Sequence, residues 1–258
     1  MRQILEAIAA IVAKDVAALP SGFAGEEEVG IGASGSATSK IDKFAEDIIV
    51  DYVKKNKIGM NILSEEAGMI DLDGEKTLVI DPVDGTANFH ARIPFYSVSL
   101  AIGDSRMSDV TYGLVRNLVS GDVYYAEKGK GAWLNGKEIR TKIFKQPNSL
   151  FLAYVGNDTD PKTWKFVDVP RRIRSLGCAS LEMCHVAGGR ADGYYFNCRE
   201  QSKKMRIVDI AASALILREA GGEIYDLIAG DILDMKFSLD DRVNFLAVGD
   251  PSMKEMMR

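Results

Sequence analysis

Leu78-Val79-Ile80-Asp81-Pro82-Val83-Asp84-Gly85-Thr86 carries an apolar β-strand into a turn that bears two carboxylates. The strand ends on Asp81, which puts that carboxylate at the edge of a sheet. Pro82 stiffens the turn, Asp84 returns a second carboxylate, and Gly85 permits a close backbone approach. Thr86 can open a short helix, whose first N–H groups point outward and suit a phosphate oxygen. Two carboxylates, the Val83 carbonyl and an anion-binding turn together suit a metal ion and a phosphate. Asp-Pro and Asp-Gly are also ordinary turn dipeptides, so the segment by itself is equally a plain turn.

Three further acidic positions bear on the choice. Ser64-Glu65-Glu66 follows a second apolar strand, Met60–Ser64, and pairing of the two strands would bring a glutamate to the edge that Asp81 occupies. By itself the pair reads first as a solvated acidic patch. Asp209 stands before the apolar run Ile210–Ala220, where an N-cap is the simple alternative. Asp42 follows Ile41 in the clearest amphipathic pattern of the chain, formed by Ile41, Phe44, Ala45, Ile48, Ile49, Tyr52 and Val53. Thr38 or Ser39 can cap that helix, and Asp42 is most simply a residue of its solvated face.

Around these points the chain divides by periodicity. A first amphipathic helix is expected to run to Leu19 and stop at Pro20-Ser21-Gly22, and Gly30 to Ser39 reads as a mobile Gly/Ser-rich loop. Strands are expected at Met60–Ser64, Thr77–Ile80, Phe95–Ile102, Val110–Val115 and Val123–Ala126. The second half mixes strands at Leu150–Val155, Gly193–Phe196 and Phe245–Gly249 with helices at Leu181–Ala187 and Ile210–Ala220. A helical pair, then antiparallel strands, then alternating α and β elements predict layered sheets and helices, an α+β and α/β mixture.

Composition narrows the function. The chain has 258 residues, 47% hydrophobic and 27% charged, which suits a globular protein with a sizeable core. A formal charge of -5 gives no support to a nucleic-acid or anionic-membrane role. No uninterrupted apolar run approaches the roughly 20 residues of a membrane span. Glu6, Lys14 and Asp15 break the N-terminal apolar stretch, which therefore reads as a helix rather than a signal peptide. Cys178, Cys184 and Cys198 form no CxxC pair, and with 2 histidines a Cys/His zinc site is not expected. Buried reduced thiols in a cytoplasmic protein are.

Taken in order, three blocks resemble the inositol monophosphatase family of lithium-sensitive phosphatases. Asp81-Pro82-Val83-Asp84-Gly85-Thr86-Ala87-Asn88-Phe89 matches DPxDGTxNF at every fixed position, and Ser64-Glu65-Glu66 matches the upstream glutamate motif. Val208-Asp209-Ile210-Ala211-Ala212, continuing to Glu219-Ala220-Gly221-Gly222, is similar to WDxAA…EAGG, with Val208 in place of tryptophan. The likeness is greatest to archaeal members that act on both inositol monophosphate and fructose 1,6-bisphosphate. It implies a layered α-β-α-β-α sugar-phosphatase fold, with an N-terminal α+β part over 1–145 carrying most metal ligands and a C-terminal α/β part over 146–258.

The resemblance also implies roles. Glu65, Asp81 and the Val83 carbonyl would hold one magnesium; Asp81, Asp84 and Asp209 would hold another, with a third possible and manganese a substitute. Asp42 and Thr86 would activate the attacking water, with Glu65 also in the catalytic set. The Gly85 and Thr86 amides would bind phosphate, and Ala179, Asp84 and Asp209 would contact the substrate. Ser34 stands where archaeal relatives carry a loop aspartate, and Phe196 where animal members carry an inositol-binding glutamate. Arg171, Arg172, Arg174 and Arg199 offer cations for a second phosphate, with Arg172 and Arg199 the expected pair. A small sugar or polyol phosphate, a homodimer and a cytoplasmic location complete the expectation. A 3'-phosphoadenosine 5'-phosphate nucleotidase and a protein-binding member with weak catalysis are the alternatives.

Overall fold

A computed structural model describes residues 1–20, 23–199, 204–228 and 231–257. In α1 (Arg2–Ala17) the buried residues Leu5, Ile8, Ala9, Val12 and Val16 recur at helical spacing and form one apolar stripe. The helix ends two residues short of Leu19, and Ser21-Gly22 of its expected stop lie outside the described residues. The Gly/Ser-rich stretch is not a structureless loop. It folds as an antiparallel hairpin of β1 (Glu28–Ile31) and β2 (Ala37–Ser39). The hairpin leads directly into α2 (Lys40–Lys55), where Ser39 is the N-cap and its Oγ accepts from the Asp42 amide at 3.5 Å.

β3 (Met60–Ser64), β4 (Gly68–Ile70) and β5 (Lys76–Asp84) precede a short helix, α3 (Thr86–His90). A meander follows: β6 (Ser97–Gly103), β7 (Tyr112–Asn117), β8 (Val123–Glu127), β9 (Gly131–Leu134) and β10 (Lys137–Ile139). These strands form one 8-stranded sheet in the order β10-β9-β8-β7-β6-β5-β3-β4. The second half supplies β11 (Leu150–Ala153), α4 (Lys162–Val167), β12 (Arg172–Arg174), α5 (Ala179–Ala187), β13 (Gly193–Phe196), α6 (Ile207–Glu219), β14 (Glu223–Asp226) and β15 (Phe245–Val248). Its sheet has 5 strands in the order β12-β11-β13-β15-β14. Every strand of the larger sheet precedes residue 145 and every strand of the smaller one follows residue 146.

The layers follow from which faces are apolar. α1 and α2 pack on one face of the larger sheet through Leu5, Ile8, Ile41, Ile49, Leu78, Leu100 and Leu114. α5 and α6 fill the space between the sheets, and 10 of the 13 residues of α6 are buried, so it has no solvent face to pattern. A Cβ at Gly113 of β7 would lie 2.7 Å from the Ala212 carbonyl oxygen, so glycine there lets α6 sit directly on the sheet. α4 covers the outer face of the smaller sheet, with Phe166 stacked on Tyr195 at 4.1 Å between centroids. The result is α-β-α-β-α, as the motif resemblance implies.

Candidate active site

Register positions the first carboxylates. β3 and β5 pair in parallel with Ser64 opposite Ile80, so Glu65, just past the end of β3, comes beside Asp81, which lies within β5 because that strand runs on to Asp84 rather than ending at Ile80. Between β5 and β6 the register shifts after Asp81, with Asp81 opposite Ser99 and Asp84 opposite Ser97. This bulge turns Asp84 away from the direction that strand alternation would give it. Gly85 then takes φ 91, which favours glycine, and a Cβ there would also crowd that of Cys178 at 3.1 Å. From the opposite layer, α6 begins at Ile207 rather than Ile210. Asp209 thus lies in its first turn and is not the N-cap.

Glu65, Asp81 and Asp209 converge, each offering an oxygen within 4.8 Å of the others. Burial pushes the Asp81 carboxyl well up, reinforced by Asp84, Glu65 and Asp209. Burial also raises Asp209, to about 8, with Glu65 adding repulsion. Glu65 is raised by burial and partly relieved by Arg206, whose Nη1 donates to Glu65 Oε1 at 2.6 Å. The Arg206 amide also donates to Asp209 Oδ2 at 2.6 Å, which orients that carboxylate. Three hard anionic ligands against one guanidinium leave negative charge that a divalent cation fits and a phosphate dianion does not.

The pH dependence of stability follows from these shifts. Asp209 and Glu182 both rise to about 8, each mainly through burial. A carboxyl raised in the fold favours the folded state while protonated, and that contribution is lost as pH climbs from the unfolded value near 4 to about 8. The melting temperature of chelator-treated protein should therefore fall between pH 5 and pH 8 (about 4 and 8 being the bounding pKa values). A saturating divalent cation should raise it more at the upper end than at the lower. A melting temperature that rises across this window, with a pH-independent cation effect, would contradict the charge balance described.

Asp84 does not join the three converging carboxylates. Its Oδ2 accepts from the Ser180 amide at 2.6 Å, the Ser180 hydroxyl at 2.5 Å and the Cys178 thiol at 3.1 Å, and its Oδ1 from the Ala179 amide at 3.2 Å. It thereby caps the positive end of α5 and ties the larger sheet to that helix. The amide of Ala179, the expected contact residue, is thus engaged by Asp84, whose Oδ1 remains the freer oxygen.

Asp42 is 8% exposed and not a solvated residue of the helix face. Its Oδ2 accepts from the Ser39 hydroxyl at 2.6 Å and its Oδ1 from the Thr86 hydroxyl at 3.0 Å. Burial raises its pKa against the pull of both donors, which makes it a better proton acceptor. Thr86 Oγ1 is also 2.9 Å from the Val83 carbonyl oxygen, so that carbonyl is not wholly free and one proton serves two acceptors.

Arg206 escapes a search for ligands because it is a cation among acids. It is 6% exposed, and besides Glu65 it reaches Ser34 O and Ser36 Oγ, each at 3.2 Å. Arg242 Nη2 adds a contact to Ser34 O at 3.4 Å. The Ala33 and Ser34 amides donate to the Glu66 and Glu65 carbonyls at 2.7 and 3.2 Å, so the hairpin tip is bonded to the metal-site strand. A basic residue directly before the buried Ile207-Val208-Asp209 was the only signal in the sequence.

Among the described residues no hydrogen bond or ion pair joins the arginines expected to hold a second phosphate to this cluster. Arg172 and Arg174 are exposed on the edge strand β12, Arg174 Nη1 donates to the Ile173 carbonyl at 2.7 Å, and Arg171 is bonded to the Pro147 carbonyl at 2.9 Å. Arg199 donates to the Thr159 carbonyl at 2.9 Å and lines a cavity of about 600 Å³ with Lys162, Lys165 and Lys204. Arg172 is not among the described residues lining that cavity. Phe196 is a core residue stacked on Phe245 at 5.8 Å.

A cluster of three carboxylates, with a buried carboxylate–hydroxyl pair beside it in an α-β-α-β-α fold, suits a metal-dependent phosphatase. The sequence profile of the inositol monophosphatase family matches residues 1–249. The chain is 37% identical over 229 residues to the fructose-1,6-bisphosphatase/inositol-1-monophosphatase of Methanocaldococcus jannaschii, covering 89% of this chain and 86% of that protein. It is 34% identical to a bifunctional NADP phosphatase/NAD kinase of Methanococcus maripaludis, over 97% of this chain and 47% of that longer protein. A solved inositol monophosphatase-fructose 1,6-bisphosphatase superposes with a TM-score of 0.85 at 35% identity, over 99% of this chain and 97% of the other. The chain therefore belongs to the inositol monophosphatase family and is a phosphoric monoester hydrolase. No helix among the described residues is long and apolar enough to cross a membrane.

Proposed function

We propose that this protein hydrolyses fructose 1,6-bisphosphate and inositol 1-phosphate, with magnesium as its natural ion and manganese as a substitute. The observation that carries the proposal is the convergence of Glu65, Asp81 and Asp209 beside the Thr86–Asp42 pair. Glu65, Asp81 and Asp209 would hold the ion, with Asp84 Oδ1 and the Val83 carbonyl as further oxygens. A bound divalent ion supplies charge neutralisation of the phosphate dianion and a lowered pKa for the attacking water.

The residues of the chain do the rest. The first N–H groups of α3, which lack partners within that helix, face the phosphate oxygens at Gly85 and Thr86. Thr86 Oγ1 accepts a hydrogen bond from the attacking water while its own proton is shared with Asp42 Oδ1. As the water oxygen bonds to phosphorus, its proton passes through Thr86 to Asp42, and the ester P–O bond breaks in line. The alcohol oxygen leaves with a proton from solvent. No covalent enzyme intermediate is needed, in keeping with the buried state of all three thiols. Those thiols support a cytoplasmic location, and a homodimer is the expectation that family membership brings.

A phosphate-release panel on fructose 1,6-bisphosphate, inositol 1-phosphate, phosphoadenosine phosphate and NADP tests the substrate. NADP is included because a relative bearing that activity in its name matches nearly the whole chain. The bisphosphate should turn over at least as well as inositol 1-phosphate. Arg199→Ala should raise KM for the bisphosphate roughly 10–100-fold, the worth of a charged hydrogen bond, and spare inositol 1-phosphate. Arg172→Ala tests the other expected cation in the same way. Equal effects on both substrates would place the second phosphate elsewhere, and a wild-type enzyme inert to the bisphosphate would end the sugar bisphosphatase reading.

A further inference from the structure

Arg206 joins three segments that the chain keeps far apart in sequence. Its amide donates to Asp209 Oδ2 in the first turn of α6, and its Nη1 to Glu65 Oε1 just past β3, each at 2.6 Å. Its Nη2 reaches Ser34 O and Ser36 Oγ at the tip of the β1–β2 hairpin, each at 3.2 Å. That hairpin runs straight into Ser39, whose hydroxyl holds Asp42 Oδ2 at 2.6 Å. One buried side chain thus spans the converging carboxylates and the element that delivers the proton acceptor.

The contacts are selective. Arg206 takes one oxygen of Glu65 and one of Asp209, and among the described residues Glu65 Oε2 and Asp209 Oδ1 accept no hydrogen bond. It is also the only described cation in an ion pair with Glu65, Asp81, Asp84 or Asp209. The planar fork of a guanidinium serves a carboxylate and the hairpin at once, which the point charge of a lysine does not. Its charge lies against carboxylates that a divalent ion must share, and like charges in a buried site repel strongly. The placement that Arg206 gives and the repulsion that it brings therefore act on the ion in opposite directions.

We propose that Arg206 is a positioning residue that weakens the hold on the divalent ion while fixing the geometry in which the ion is productive. It presents the free oxygens of Glu65 and Asp209, and through the hairpin it keeps Asp42 at Thr86. This role rests on the reading of Glu65, Asp81 and Asp209 as the holders of the ion. Removal of a residue with a merely structural part weakens ion binding and slows turnover together. Removal of a positioning cation gives opposite signs, a tighter ion and slower chemistry.

Three measurements on the full-length chain separate these cases: calorimetric titration with magnesium, amide hydrogen exchange of the metal-free protein, and phosphate release from the panel substrate that the wild type turns over fastest. Arg206→Gln removes both charge and fork, and magnesium should then bind about tenfold more tightly. The Ala33 and Ser34 amides, bonded to the Glu66 and Glu65 carbonyls, should exchange at least about tenfold faster without metal. At saturating magnesium kcat should fall about 10²-fold, the cost of small misplacements. Arg206→Lys keeps the charge and loses the fork, so its magnesium affinity should stay within about threefold of the wild type while exchange and kcat change as in Arg206→Gln. This variant carries the test by itself if Arg206→Gln does not fold. Magnesium bound no more tightly by a folded Arg206→Gln protein, or much more weakly by Arg206→Lys, would overturn the proposal, as would wild-type exchange or wild-type kcat in either variant. A wild-type protein that takes up no divalent ion overturns the ion-site reading as well. If Asp81→Asn loses the ion and Arg206→Gln leaves affinity and exchange unchanged, only the role of Arg206 falls.

Discussion

Asp81→Asn removes nearly all turnover, a loss of about 10³-fold or more, and at the same time raises the melting temperature of the metal-free protein. The two effects come from one cause. Asp81 is 5% exposed and repelled by Asp84, Glu65 and Asp209, so its charge is unfavourable until a cation offsets it. Asparagine keeps the shape and removes the charge, which relieves the fold. Each kcal/mol of repulsion relieved is worth about 2–4 °C in a protein of this size. The same substitution removes an anionic ligand, so the rise in melting temperature on adding magnesium should shrink or vanish. Melting curves with and without the ion, alongside phosphate release, check all three. If the variant instead melts lower without metal and keeps the full magnesium shift, Asp81 is a structural turn residue, and the ion is held elsewhere.

The parts of this site that were legible before the structure are those encoded by local pattern. The β3–β5 pairing puts Glu65 beside Asp81 because each apolar run is followed by an acid, and both apolar runs are visible in the sequence. The α2 helix and its Ser39 cap follow from spacing and from a hydroxyl at the right place. The fold class is legible for the same reason: helix and strand periods change along the chain in the order of the layers.

What was not legible depends on contacts between distant segments. Gly30 to Ser39 has the composition of a loop, yet its tip is held by backbone bonds to Glu65 and Glu66 and by Arg206. No local property of a Gly/Ser stretch announces partners that lie in other elements. The sequence reads Asp84 as a ligand like Asp81 and gives no sign that a register shift and four donors from the Cys178–Ser180 segment also tie it to α5. Asp42 read as solvated because one face of a helix is normally wet. Its burial is set by Ser39, Thr86 and the hairpin, which periodicity does not contain. The sequence puts Asp209 before its helix, whereas Ile207 and Val208 extend the helix at its N-terminal end and bring Asp209 into the first turn.

Thr86→Ala should lower kcat by about 10²–10⁴-fold, the usual worth of one group that positions or relays a proton. The hydroxyl links the Asp42 carboxylate to the space beside Asp81 and Asp84, and no other described side chain donates from that direction to Asp42 Oδ1. Removing it leaves Asp42 held by Ser39 alone, with a buried oxygen unpaired. The backbone of α3 and the three converging carboxylates are untouched, so the rise in melting temperature on adding magnesium should match that of the wild type. Thr86→Ser keeps the hydroxyl and should recover most of the rate, which separates loss of the proton path from loss of packing. Asp42→Asn should lose rate comparably, and the double variant should be little worse than either single one, because the two groups act as one unit. A Thr86→Ala protein that loses its magnesium response together with its rate would make the hydroxyl a support for the ion site and leave Asp42 without a route to the water.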